Sequence, residues 1–140
     1  MQHISHCYKN FANFNGRATR SEFWLFYLFG QVVGLLLMII GFAAAFMLGY
    51  MGAIHDNPNV IPLIFACFIP MFIFGLVNII PSLAVGARRL HDAGFSGWLL
   101  LLFLVPLGGF AIFIMWLLES QQGDNQYGPD PFGRPPLPKY

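Results

Sequence analysis

Three apolar runs, residues 23–51, 60–85 and 98–118, contain no Asp, Glu, Lys or Arg, and they restrict the chain to very few folds. At 29, 26 and 21 residues, each exceeds the roughly 18 needed for a helix to cross a hydrocarbon core about 30 Å thick. At about 1.5 Å per residue the longest run reaches roughly 43 Å and the shortest roughly 31 Å. The first two must therefore tilt, bend or extend into the headgroups. None is long enough to fold back into two full spans, so the expectation is an all-α, polytopic membrane protein built as a bundle of three transmembrane helices. A soluble three-helix core is disfavoured, because an uncharged helix of that length has no face to present to water.

Composition agrees. Only 9% of residues are charged and 57% are hydrophobic, against about 25% charged in ordinary globular domains. A net charge of +1 provides no field for neutralising phosphates along a nucleic acid, which is excluded as a partner. Cys7, in a polar segment, and Cys67, inside an apolar run, do not form a disulfide framework. The first apolar run is much longer than a secretory h-region, so it is expected to be retained as a span. The domain division is an N-terminal cytoplasmic or interfacial segment (1–22), a membrane domain (23–118) and a Gly/Pro-rich tail (119–140), whose PPLP reads as extended polyproline.

In a three-crossing arrangement Lys9, Arg17, Arg20, Arg88 and Arg89 share one side, opposite Arg134 and Lys139. The positive-inside rule then makes the N-terminus cytoplasmic and puts the tail outside, although a re-entrant or interfacial segment would reverse the tail's side. Phe23, Trp24, Tyr27, Tyr50, Trp98 and Trp116 stand at the ends of the runs as interface anchors. Pro62, Pro70 and Pro81 predict kinks in the middle run, where Asn78 is placed to supply a backbone partner. Gly30, Gly34, Gly41, Ala45 and Gly49 form a small-residue stripe for close helix packing, within the chain or against a second copy.

The charge that the chain does carry is concentrated in two places. In RRLHDAGFSGW (88–98), Gly94 suits the left-handed close of a helix and Ser96 the N-cap of the next. Asp92 falls four residues after Arg88 and three after Arg89, so an ion pair on one helix face is expected. One aspartate cannot neutralise both arginines, and the surplus guanidinium suits the phosphate of an anionic phospholipid. In NFNGRATRSEFW (13–24), Thr19 and Glu22 make a capping-box pattern. Arg17 and Arg20 lie at the positive end of the first helix, where its dipole disfavours them, so another interaction must favour them there. Pairing of Glu22 with Arg88 or Arg89 would join the two segments into one interfacial cluster.

These segments, with GDNQYGPDP (123–131), resemble a bacterial inner-membrane family named only as a domain of unknown function, number 805. The matching positions are Phe14, Gly16, Arg17, Arg20, Glu22, Phe23 and Trp24; Arg88 to Asp92, Gly94 and Ser96 to Trp98; and Asn125, Tyr127, Gly128, Asp130 and Pro131. The resemblance covers nearly the whole chain and implies a small multi-pass protein of the bacterial plasma membrane. It implies no catalytic residues.

Adjacent helical residues point about 100° apart, so His91 and Asp92 do not orient one another as a catalytic pair, and N-capping accounts for Ser96. His3, His6 and Cys7 have ligand-like spacing but no fourth partner, and turn formation accounts for Asp124, Asn125 and Asp130 better than calcium. No metal or cofactor is expected. The functional expectation is a non-enzymatic membrane component that binds anionic lipid headgroups, or another membrane protein or second copy, through Arg17, Arg20, Glu22, Arg88, Arg89, His91 and Asp92. The alternatives are a small transporter or channel subunit and, after it, a lipid-modifying enzyme. The lack of ionisable groups inside the runs counts against an ion relay.

Overall fold

The computed structural model describes residues 7–9, 11–55 and 60–137, with backbone alone at 54 and 55. His3 and His6 lie outside the described residues. Every regular element among those described is helical: α1 (Arg20–His55), α2 (Val60–Ala66), α3 (Ile69–Asp92), a 3-10 helix (Gly97–Leu104) and α4 (Gly108–Leu117). One isolated β-bridge joins Asn125 to Gly128.

Helix α1 starts where Thr19 accepts the N–H of Glu22 at 3.2 Å, and its 36 residues extend about 54 Å. Only half of the expected capping box forms at Thr19, because the Glu22 carboxylate is directed to Arg88 and Cys7. Pro62 sits in the first turn of α2, where a missing N–H costs nothing. Pro70 has no N–H to offer the carbonyl of Ala66, and the helix is interrupted there, at Cys67 and Phe68, before α3 resumes. Asn78 donates to the carbonyl of Phe74 one turn back, at 2.8 Å.

The chain forms two compact units. In the unit of residues 28–79, α1 meets the α2–α3 segment through small residues. A Cβ added to Gly41 would lie 3.2 Å from the Cys67 carbonyl and the Phe68 ring, and one on Gly49 would lie 3.8 Å from Ile64. The expected stripe is thus divided. Gly41 and Gly49 pack the chain on itself, Ala45 is half-buried, and a Cβ added to Gly30 or Gly34 would have nothing within 4 Å. The apolar windows of the two long helical segments, Arg20–Ala53 and Val60–Asp92, are only 6% and 0% buried. A soluble protein's core helices would be mostly covered; these present Leu, Ile and Phe to their surroundings all round, as helices in lipid do.

The other unit comprises the described parts of residues 1–27 and 80–140. Here the third apolar run, 98–118, is not one continuous helix. It is divided into an eight-residue 3-10 helix and a ten-residue α4 that pack on each other. The reversal occurs at Val105, Pro106 and Leu107, and Leu107 takes a left-handed conformation with φ 65°. Gly108 follows, so close to the first leg that a Cβ would lie 1.9 Å from the Leu102 carbonyl oxygen, and only glycine fits. Phe103 on one leg lies 5.9 Å from the Trp116 ring on the other.

Phe23, expected as an interface anchor, belongs instead to the core of this unit, and Trp116, half-buried, packs against that core. Phe23 is 2% exposed and its ring lies 4.6 Å from that of Trp116. The Trp116 indole donates to the Gly86 carbonyl at 3.2 Å, which burial of its N–H requires. Tyr27, Tyr50 and Trp98 remain exposed, as anchors should.

Candidate functional site

The end of α3 is closed as its sequence predicts. Gly94 is left-handed (φ 87°), its N–H bonds the His91 carbonyl at 3.0 Å, and the Phe95 N–H bonds the Leu90 carbonyl at 2.9 Å, a Schellman closure. Ser96 then accepts the Trp98 N–H at 3.3 Å and starts the 3-10 helix. Ending α3 there leaves Arg88, Arg89, His91 and Asp92 together in its last turn, and all four are buried.

Asp92 is the centre of the cluster. Its side chain is fully buried and accepts from Arg17 Nε at 3.0 Å, Arg89 Nη1 at 2.7 Å and the Ser120 hydroxyl. Its backbone carbonyl accepts the Gln121 N–H at 2.8 Å. Burying a carboxylate costs several kcal/mol, roughly, unless its lone pairs are satisfied, and here two guanidinium groups and a hydroxyl satisfy them. Of the two expected pairings within α3, the three-residue spacing forms. Arg88 turns away to Glu22, Nη1 to Oε1 at 3.1 Å, and that pair links the start of α1 to the end of α3 as the sequence anticipates. The Ala18 N–H adds a backbone bond to the Arg88 carbonyl at 3.0 Å.

Most of the remaining guanidinium donors go to backbone carbonyls. Arg20 donates to the carbonyls of Leu118 at 2.9 Å and Leu117 at 2.6 Å. Arg89 donates to Trp116 at 3.1 Å and to Leu118. These carbonyls are the unpaired acceptors at the C-terminus of α4, the negative end of its dipole. This answers why two arginines sit at the disfavoured end of α1: Arg20 caps α4, while Arg17 reaches Asp92 and the carbonyls of Gln121 and Gly123, the latter at 2.7 Å.

The tail takes part, which the residue pattern alone does not announce. The Tyr127 ring stacks on His91 with centroids 3.8 Å apart and planes 4° apart. Asn125 donates to the His91 carbonyl at 2.9 Å. His91 donates from Nδ1 to the Gly16 carbonyl at 3.2 Å, so its ring is held by a backbone acceptor and an aromatic face rather than by Asp92. Asp130 organises the tail turn by accepting from Arg134 Nε at 2.9 Å, the Phe132 N–H and the Gly123 N–H. The hydrogen bond from Arg134 holds its carboxyl down to about 2, helped by those two amides against the opposing effect of burial. Asn125, Tyr127, Gly128 and Asp130 are visible as a motif, but their turn chemistry conceals that the turn docks.

Cys7 donates to Glu22 Oε1 at 3.5 Å, and burial, followed by the neighbouring carboxylate, pushes its thiol up to about 12. Among the described residues no group of three His, Cys, Asp or Glu side chains could hold a metal. Two donors stand apart: Arg88 Nε and Nη2 are buried and have no acceptor among the described residues.

The sequence profile described as "Protein of unknown function (DUF805)" matches residues 11–129. The chain is 36% identical over 128 residues to "Inner membrane protein YhaH" of Escherichia coli (strain K12), covering 88% of this chain and 90% of that protein. It is 33% identical over 124 residues to "Inner membrane protein YhaI" of the same strain, covering 88% and 89%. No solved structure matches.

Proposed function

We propose, for this chain, which belongs to the DUF805 family and is an inner membrane protein, a non-enzymatic role in which the arginine cluster holds the phosphate of an anionic phospholipid headgroup. The observation that carries the reading is Arg88, only 4% exposed, with two N–H groups lacking an acceptor. Buried guanidinium donors left unmade are costly, by roughly 1–3 kcal/mol each, so an anion or ordered water is expected to satisfy them. Charge supports the anion: among the described residues, the guanidinium groups of Arg17, Arg20, Arg88 and Arg89 meet two carboxylates, Glu22 and Asp92. The planar fork of Arg88 fits two phosphate oxygens at once, which a lysine cannot do.

Native mass spectrometry of the full chain in detergent tests this, with phosphatidylglycerol and phosphatidylcholine offered together. The expected result is selective retention of phosphatidylglycerol, reduced by Arg88→Lys, which keeps the charge, and abolished by Arg88→Gln. Equal retention of the two lipids by the wild-type chain refutes the reading, as does undiminished retention by Arg88→Gln. Added phosphatidylglycerol should also raise the wild-type melting temperature, a readout that needs no variant.

A further inference from the structure

We infer that residues 97–118 do not cross the membrane but form a re-entrant wedge, which enters one leaflet from the side of the arginine cluster, turns at Pro106 and Leu107, and returns to that side. The interaction surface is the outside of this hairpin, and its partner is the acyl-chain layer of that single leaflet.

The first support is length. The 3-10 leg of eight residues rises about 16 Å and the α4 leg of ten about 15 Å. Each is half of a hydrocarbon core of about 30 Å, so neither leg spans it.

The second is where the legs begin and end. The first starts beside the end of α3, where a Cβ on Gly97 would lie 3.0 Å from His91 Nε2 and 3.2 Å from Ala87. The second finishes with the carbonyls of Trp116, Leu117 and Leu118 on Arg20 and Arg89, and the next residue but one, Ser120, bonds Asp92. Both ends of the hairpin therefore lie against the last turns of α3. A crossing segment would separate its ends by the membrane thickness.

The third is exposure. Trp98 at the base is 80% exposed, and Leu104 and Leu107 at the turn are 82% and 88% exposed. An amphipathic indole at the base and aliphatic side chains at the tip match the polarity gradient of one leaflet. Backbone groups at the tip are paired within the hairpin: the Val105 N–H bonds the Leu102 carbonyl at 3.0 Å, the Gly108 N–H the Val105 carbonyl at 2.9 Å, and the Phe110 N–H the Leu107 carbonyl at 3.1 Å, which lowers the cost of non-helical backbone at membrane depth.

The fourth is charge. With the hairpin re-entrant, Lys9, Arg17, Arg20, Arg88, Arg89 and Arg134, all six Lys and Arg among the described residues, share one side. A third crossing would instead have to pull Arg134 and the tail through the bilayer, away from the partners that Arg17 and Ser120 give it. The inference stands whatever the cluster binds.

Single cysteines at Asn13, Ala53, Phe132 and Leu104, in the full chain carrying Cys7→Ser and Cys67→Ala, test it with a membrane-impermeant maleimide on intact cells and on inverted vesicles. The expected pattern is that positions 13 and 132 label from the inverted vesicles, 53 labels from intact cells, and 104 labels from neither. A fluorophore placed at 104 with a permeant reagent should be quenched by lipid carrying a nitroxide on its acyl chain. Labelling of 132 from intact cells while 13 labels from inverted vesicles overturns the inference. Protease-cleavable epitopes before residue 1 and after residue 140, on the otherwise unaltered chain, give the same reading without cysteine replacement: both protected or both cleaved in intact cells supports the wedge, and cleavage of one alone refutes it.

Discussion

The two units of this chain are held by opposite means. The unit of residues 28–79 contains one charged residue, Asp56, and draws its helices together by removing side chains: glycine at 41 and 49 lets α1 approach the α2–α3 segment. The unit of residues 1–27 and 80–140 contains nearly all the chain's charge and holds itself with a network centred on Asp92. The contrast follows from solvent. Apolar burial contributes little where the surroundings are already apolar, so close packing decides there, whereas buried guanidinium groups demand acceptors wherever they sit.

The largest break in this contrast should come from Asp92→Asn. It removes the shared counter-charge of Arg17 and Arg89 with almost no change in volume, and breaking a buried pair typically costs about 3–5 kcal/mol. The melting temperature in detergent should fall sharply, and an unchanged value would mean that the cluster is not what holds its unit. Gly41→Ala should cost less, about 1–3 kcal/mol, because its methyl would lie 3.2 Å from a carbonyl and an aromatic ring. The same change at Gly30, where nothing lies within 4 Å, should stay within about 0.5 kcal/mol in dilute detergent. Equal effects at the two positions would erase the division of the stripe.

Cys7 should resist alkylation at pH 8.5 in the folded chain and react once the fold is melted, since its thiol is buried and held near 12. Rapid labelling of the native chain would show that this corner of the cluster is open. The smallest effect concerns Asp130. Its carboxyl ionises lower in the folded tail than its ordinary value of 3.8, so the stabilisation it gives is present above that value and is lost as pH falls toward about 2. Protection of the Gly123 and Phe132 amides, measured against the intrinsic exchange rate at each pH, should fall over that window, and Asp130→Asn should leave it low at every pH.

Much of this was legible in the residues. Charge-free runs revealed the helices, Gly94 and Ser96 marked the turn after α3, and the spacing of Arg89 and Asp92 foretold their pair. The fold-back of the third run was hidden because 21 apolar residues satisfy the length of a crossing just as well as they supply two half-length legs. Its signal was the local Pro106, Gly108 and Gly109, punctuation that hydropathy ignores. The capping of α4 by Arg20 and Arg89 was less visible still. Every residue has a carbonyl, so nothing in the side chains of Trp116, Leu117 or Leu118 advertises an arginine partner.

The reach of Arg17 imposes an order on biogenesis. Its carbonyl partners Gln121 and Gly123 lie 104 and 106 positions downstream. At a ribosomal pace of about 5–20 residues per second, this cation waits about 5–20 s before they are synthesised. Asp92 is made earlier, so a chain ended before codon 120 would keep the Arg17–Asp92 pair but lack the Gln121 and Gly123 carbonyls and the Ser120 hydroxyl that complete the network.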